Sequence, residues 1–194
     1  MILNIFGPSG SGKTTFLKNL IRKNNIQTFY KSYVTKYKIK KNERFTISLS
    51  LIPLPIYRGR MKDFFEIYDF NFENFDYLNK DFKELFFTIF KPNKDEKFQV
   101  IKNRLIETLS AGEMRRLFIL KSLIIDSDML AIDEPFSNSD KKLWDIIIKS
   151  IENKKHSILL SHMPLDQIFP LKNNFIKVDI RDIDTRFCFT KIKS

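Results

Sequence analysis

Gly7-Pro8-Ser9-Gly10-Ser11-Gly12-Lys13-Thr14 sets three glycines, a lysine and a hydroxyl residue at the spacing of a Walker A loop. The apolar run Ile2–Phe6 precedes it. Phe16, Leu17, Leu20 and Ile21 follow at helical spacing, so the loop joins a strand to a helix, the context that the pattern requires. Glycines let the backbone wrap a phosphate with its N–H groups pointing inward, and the helix N-terminus adds positive potential. Gly7 through Thr14, together with Thr15, are therefore the expected nucleotide contacts. Lys13 would reach the β- and γ-phosphates, and Thr14 would bind Mg²⁺.

Met129-Leu130-Ala131-Ile132-Asp133-Glu134-Pro135 is an apolar strand ending in two carboxylates. This places Asp133 near the metal and Glu134 beside the γ-phosphate, where it can accept a proton from an attacking water. A nucleoside or nucleotide kinase, which the loop alone leaves open, would need its phosphate acceptor in that place. The pair thus favours ATP hydrolysis.

Leu109-Ser110-Ala111-Gly112-Glu113 resembles the signature motif of ATP-binding cassette (ABC) proteins, usually Leu-Ser-Gly-Gly-Gln. It precedes Asp133 with the family's spacing. Ser137-Asn138-Ser139-Asp140 then resembles the D-loop, and Ser161-His162 the switch histidine after its strand. The resemblance runs from Met1 to His162 and implies two cassettes facing head to tail, with ATP held between the Walker A loop of one and the signature of the other. In that arrangement Ser110 and Gly112 contact the γ-phosphate across the interface. Glu134 is the general base, His162 holds the γ-phosphate, and Asp140 connects the two sites.

Three departures from the family pattern carry expectations. Ala111 and Glu113 replace a glycine and the glutamine, and Glu113 brings negative charge near a triphosphate, predicting a weaker contact across the interface. Ser50–Gly59, where the family has a metal-binding glutamine, contains none, so metal binding or coupling to a membrane partner would be altered. Only six residues precede Gly7, so the aromatic residue that stacks on adenine is not in its usual place. Poor discrimination between ATP and GTP is expected, unless a base pocket lies around Phe29 or Tyr30.

These residues need an α/β scaffold to bring them together. The patterns predict strands at Ile2–Phe6, Met129–Ile132, Ser157–Leu160 and Phe175–Val178, a terminal strand at Arg186–Ile192, and helices at Glu113–Ile125 and Lys141–Ile151. A helix after the loop should stop near Asn24–Asn25. Thr28–Ile39 and Phe45–Ile52, rich in Tyr, Phe, Val, Ile and Thr, read as β-like runs. The aromatic-rich stretch Met61–Phe90 reads as a packed, mainly helical subdomain. The resulting fold class is α/β, a P-loop NTPase with a mainly parallel sheet, crossover helices and an inserted helical subdomain at about residues 53–120, all within a single domain of residues 1–194.

With 194 residues, 43% hydrophobic and 29% charged, the composition excludes intrinsic disorder, collagen-like repeats and a disulfide scaffold. Cys188 is the one cysteine, and no leader pattern opens the sequence, so a reducing cytoplasmic location is expected. No apolar run approaches the roughly 18 residues of a membrane span. The net charge of +11 comes from lysines scattered through nearly every segment, which makes nucleic acid an unfavoured partner. The resemblance then implies an ATP- and Mg²⁺-dependent motor on the inner face of a membrane. Its partners would be separate transmembrane permease subunits and a second cassette, identical or different. Tyr57-Arg58-Gly59 followed by Asp63 resembles exporter cassettes. The alternatives are a soluble cassette ATPase acting on nucleic acid or ribosomes, and a degenerate regulatory cassette.

Overall fold

A computed structural model of the chain describes residues 1–38, 45–51, 57–67, 83, 86–87, 98–137, 141–167 and 175–184. It divides into two compact units, one of Met1–Ile52, Ser127–Pro135 and Ile151–Ser194, the other of Pro53–Asp126 and Phe136–Ser150.

Among the described residues the first unit has five parallel strands, β1 (Ile2–Phe6), β2 (Ile47–Ser50), β3 (Met129–Asp133), β4 (Ser157–Ser161) and β5 (Phe175–Asp179), in the order β2-β3-β4-β1-β5. β1 pairs along its whole length with both neighbours, Ile2 opposite Ser157 and Phe175, Phe6 opposite Ser161 and Asp179. β3 and β4 are buried at every residue, which explains why they read as continuous apolar runs with little alternation. Two helices, α1 (Lys13–Arg22) and α2 (Ile26–Tyr33), supply Phe16, Leu17, Leu20, Ile26, Phe29 and Tyr30 to a core with Leu3, Ile5, Met129, Ala131, Ile158 and Leu160. Those strand residues alternate along the chain, so Asn4 and Ser161 belong to the other face.

The β-like reading of Thr28–Ile39 is corrected by α2. Composition suggested a strand, but Ile26, Phe29, Tyr30 and Tyr33 follow the i, i+3, i+4, i+7 stripe of a helix. Phe29 stacks edge-on against Phe16 and Tyr33 at 5.1 and 5.2 Å. The remaining strands and helices of this unit lie within two or three residues of their expected limits. Arg186–Ile192 falls outside the described residues.

In the second unit the described elements are helices and turns: α3 (Met61–Glu66), α4 (Phe98–Asn103), a 3-10 turn at Ile106–Thr108, α5 (Ala111–Ile124), and most of α6 (Lys141–Glu152). Phe64 is its aromatic hub, with the rings of Tyr57, Phe65 and Phe118 at 5.0, 5.3 and 5.3 Å. Gly59–Met61 runs antiparallel to Arg104–Ile106, with Met61 N–H donating to Arg104 O (3.0 Å) and Ile106 N–H to Gly59 O (2.8 Å). No helix among the described residues is long and apolar enough to cross a membrane.

Candidate functional site

The carboxyl ends of β1, β3 and β4 are neighbours in the sheet; the phosphate loop follows β1, Asp133 ends β3 and Glu134 is the next residue. Gly7 N–H donates to Ser161 O at 3.2 Å, which ties the start of the loop to the end of β4. Gly7 has φ +155°, and a Cβ there would stand 2.6 Å from Ile180 Cγ2, so a side chain at this position would force Ile180 or the loop to shift. Gly12, at φ +87°, opens α1 in the left-handed region that glycine enters without strain. It offers no side-chain cap, and the first turn of α1 holds no acidic residue. The partial positive charge of that helix end is therefore left for an anion.

Lys13 is 6% exposed, and its ammonium donates to Gly7 O at 2.7 Å and Pro8 O at 3.0 Å. The cation thus sits inside the loop it must serve, held by carbonyls that a phosphate oxygen can replace. Ser11 Oγ is buried without a hydrogen-bond partner among the described residues. A buried hydroxyl in that state is a donor in want of an acceptor.

Thr14 Oγ1 donates to Asp133 Oδ2 at 2.5 Å, joining the first turn of α1 to the end of β3. This hydroxyl and carboxylate are hard oxygen donors of the kind Mg²⁺ takes. Among the described residues no cluster of three or more His, Cys, Asp or Glu could hold a metal. A cation at Thr14 and Asp133 must draw its remaining ligands from water and substrate phosphates, which is the habit of Mg²⁺ and suits a nucleotide site.

Glu134 is the first residue beyond β3, and its φ of +50° places a bulky side chain in the left-handed region. Such a conformation costs about 1–3 kcal/mol and persists only where the surroundings impose it. Glu134 N–H donates to Leu160 O at 2.9 Å, which anchors the turn. The carboxylate Oε1 comes 3.4 Å from His162 Nδ1; the side chains are 14% and 52% exposed, respectively. A sheltered carboxylate beside an accessible imidazole can take a proton from water and hold a phosphoryl oxygen, respectively.

Ser110 is the N-cap of α5, accepting from Glu113 N–H at 3.2 Å, while the Glu113 carboxylate accepts from Ser110 N–H and from its hydroxyl, both at 2.9 Å. This is a reciprocal capping box. Arg104 then donates twice to Glu113, at 2.8 and 3.3 Å. Burial pushes the Glu113 carboxyl up, but Ser110 and the Arg104 guanidinium outweigh it and hold the group below the usual carboxylate range. The negative charge that Glu113 brings therefore has the Arg104 guanidinium clamped on it. A Cβ at Gly112 would meet nothing within 4 Å.

The suggested base pocket at Phe29 or Tyr30 is closed, since both are 0% exposed in the core beneath α1 and α2. Asp140, and residues 52–56 of the stretch without a glutamine, lie outside the described residues. Two residues escaped the sequence reading. Arg104 lies nine positions from Glu113 with no shared helical period, so nothing in the sequence pairs them. Asn4 left a signal, a lone amide inside an apolar strand.

Residues 1–137 match the family model described as ABC transporter. Over 193 residues the chain is 28% identical to the zinc import ATP-binding protein ZnuC of Wolbachia pipientis wMel, covering 92% of this chain and 68% of that protein. Over 192 residues it is 27% identical to the protein of the same name from Wolbachia sp. subsp. Brugia malayi (strain TRS), again covering 92% and 68%. The chain thus spans about two thirds of the length of these relatives. Among solved structures, the ATP-binding subunit of an ABC transporter superposes with a TM-score of 0.55 at 15% identity, covering 92% of this chain and 75% of that one. An archaeal ribosome recycling factor, aABCE1, solved in complex with the ribosomal stalk protein aP1, gives 0.54 at 22% identity, covering 83% and 28%. At these identities the structural likeness speaks to fold alone.

Proposed function

We propose, from the premise that this chain belongs to the ABC transporter family and is an ATP-hydrolysing nucleotide-binding domain of that family, that it drives uptake of a small solute through separate membrane-spanning subunits. A divalent metal ion, zinc in the names of its relatives, is the cargo class that best fits. The importer names weigh against the exporter-like stretch at Tyr57–Gly59 and Asp63. Asp63 has a local role in this chain, accepting from Arg60 N–H at 3.2 Å at the start of α3.

The observation that carries the ATPase reading is the convergence of Lys13, Thr14–Asp133 and Glu134–His162 on the carboxyl ends of adjacent parallel strands. The N-terminus of α1 and Lys13 hold the β- and γ-phosphates, with Gly7–Thr15 around them. Thr14 and Asp133 would hold Mg²⁺, which when bound would neutralise charge on the β- and γ-phosphate oxygens. Glu134 takes the proton of the attacking water, and His162 steadies the γ-phosphate. Ser110 and Gly112 of a second cassette close the site, and the open space beside Gly112 supports an approach from outside the chain. Residues 53–120 are read as the helical subdomain that meets the permease. The cassette then works at the cytoplasmic face of the membrane, and its partner cassette is a second copy or a relative.

The test is co-purification of the full chain with a multi-span membrane protein encoded beside it, followed by Mg²⁺-dependent ATP hydrolysis in proteoliposomes. Turnover that rises with the membrane partner and with zinc and its binding protein supports the reading. Turnover indifferent to any membrane partner but raised by ribosomes or nucleic acid would replace it with the soluble alternative.

A further inference from the structure

Asn4 lies in the middle of β1 and is 0% exposed. An amide there is costly unless each of its polar atoms is bonded. All are: Nδ2 donates to Leu159 O at 3.1 Å and to Ser161 Oγ at 2.8 Å, and Oδ1 accepts from Leu165 N–H at 3.1 Å. Since Leu159 offers only an acceptor and Leu165 only a donor, the orientation of the amide follows from its partners. Ser161 Oγ passes its own proton on to Met163 O at 2.6 Å. The residues on both sides of His162 are therefore fastened to one buried side chain, directly at Ser161 and Leu165 and through Ser161 at Met163.

β1 does not need this amide to stay in the sheet, because it is paired along its whole length with β4 and β5. What Asn4 adds is a clasp on the turn after β4. That turn carries His162, half exposed and 3.4 Å from Glu134 Oε1. Leucine at position 4 would match the neighbouring strand residues in character yet make none of the three bonds. Aspartate would turn a carboxylate oxygen on Leu159 O.

We propose that Asn4 is a positioning residue: through Ser161 and Leu165 it sets where His162 stands beside Glu134, and so the geometry in which the γ-phosphate is held. The second half of this inference rests on the role given to His162 above. Misplacing a phosphate-holding group by about 1 Å is worth up to about 10²-fold in turnover, because the reacting atoms lose their alignment. Binding of ATP, carried mainly by the loop and α1, is unaffected.

The experiment uses the full chain with Asn4→Leu. Of its two histidines, only His162 is on the clasped turn, so the imidazole Cε1–H resonances report on each separately. The His162 resonance is expected to shift or broaden while that of His156 stays in place. kcat should fall about 10-fold to 10²-fold with the affinity for a fluorescent ATP analogue within about twofold. In a His162→Ala chain, adding Asn4→Leu should change the residual kcat by less than about twofold, since the two substitutions act on one interaction. An unmoved His162 resonance, or equal losses in both backgrounds, overturns the proposal. A displaced resonance in Asn4→Leu, combined with wild-type kcat in His162→Ala, upholds the clasp and removes His162 from turnover. If Asn4→Leu does not fold, Asn4→Ala carries the same comparisons; if neither folds, Asn4 serves the fold itself and the proposal fails.

Discussion

The Arg104 guanidinium grips the Glu113 carboxylate through two hydrogen bonds, at 2.8 and 3.3 Å, and the same carboxylate caps Ser110 at the head of α5. The pairing of Gly59–Met61 with Arg104–Ile106 fixes the Arg104 backbone. Glutamine at 113 could cap the helix without help, whereas glutamate brings a charge that Arg104 answers. Arg104→Ala should therefore lower stability by about 1 kcal/mol, a modest figure because the arginine is a third exposed. In a Glu113→Gln background the loss should fall below half of that. Urea unfolding of the four chains of this cycle measures it, and identical losses in both backgrounds would show that the pair contributes nothing specific.

Lys13→Ala removes the cation seated among the loop carbonyls of Gly7 and Pro8. ATP affinity should fall roughly 10²-fold, about 2.7 kcal/mol, with the loop otherwise intact. Equilibrium binding that leaves the affinity unchanged would remove Lys13 from the phosphate site.

Glu134→Gln retains size and hydrogen-bonding reach but not basicity. Turnover should fall by about 10²–10⁴ while ATP still binds. Trapped ATP then stabilises whatever assembly buries it, so light scattering with ATP and Mg²⁺ should show a dimer that Ser110→Arg abolishes. A chain that remains monomeric until mixed with a different cassette would identify a heterodimer.

His156, half-buried just before β4, contacts the rings of Tyr30 and Tyr37 at 5.5 and 4.8 Å. Burial, then the positive charges of the Met1 ammonium and Lys155, lower its pKa against the opposing pull of Asp128. The unfolded chain thus binds a proton at higher pH than the native one. The stability contribution is complete above the ordinary histidine value of about 6.5 and is lost as pH falls through the lower native value. Urea midpoints should drop between about pH 7.5 and about pH 5.5, and His156→Phe, which keeps the ring contacts, should flatten that slope. An unchanged slope would assign the pH dependence to other groups.

Gly7–Thr14 and Asp133-Glu134 stood out in the linear chain as candidates because each is a local event, a strand and then a turn whose residue types suit a phosphate, a metal or water, whereas His162 was singled out only through the resemblance to the ABC family. The strands could be read for the same reason, since β3 and β4 are buried on both faces and must be apolar throughout. Where residue type and spacing disagreed, at Ile26–Tyr33, spacing prevailed, because only a helix buries Ile26, Phe29 and Tyr30 on one side.

Tertiary structure alone decided which distant groups meet. Asn4 reaches Ser161 across 157 positions, and Arg104 finds Glu113 with no periodicity to announce it. Motif spacing encodes what a residue can do, since chemistry depends on residue type and local backbone. Where that residue stands depends on strand order and on buried polar atoms seeking partners, and these are settled only when the sheet closes in the order β2-β3-β4-β1-β5 and every buried amide must be bonded.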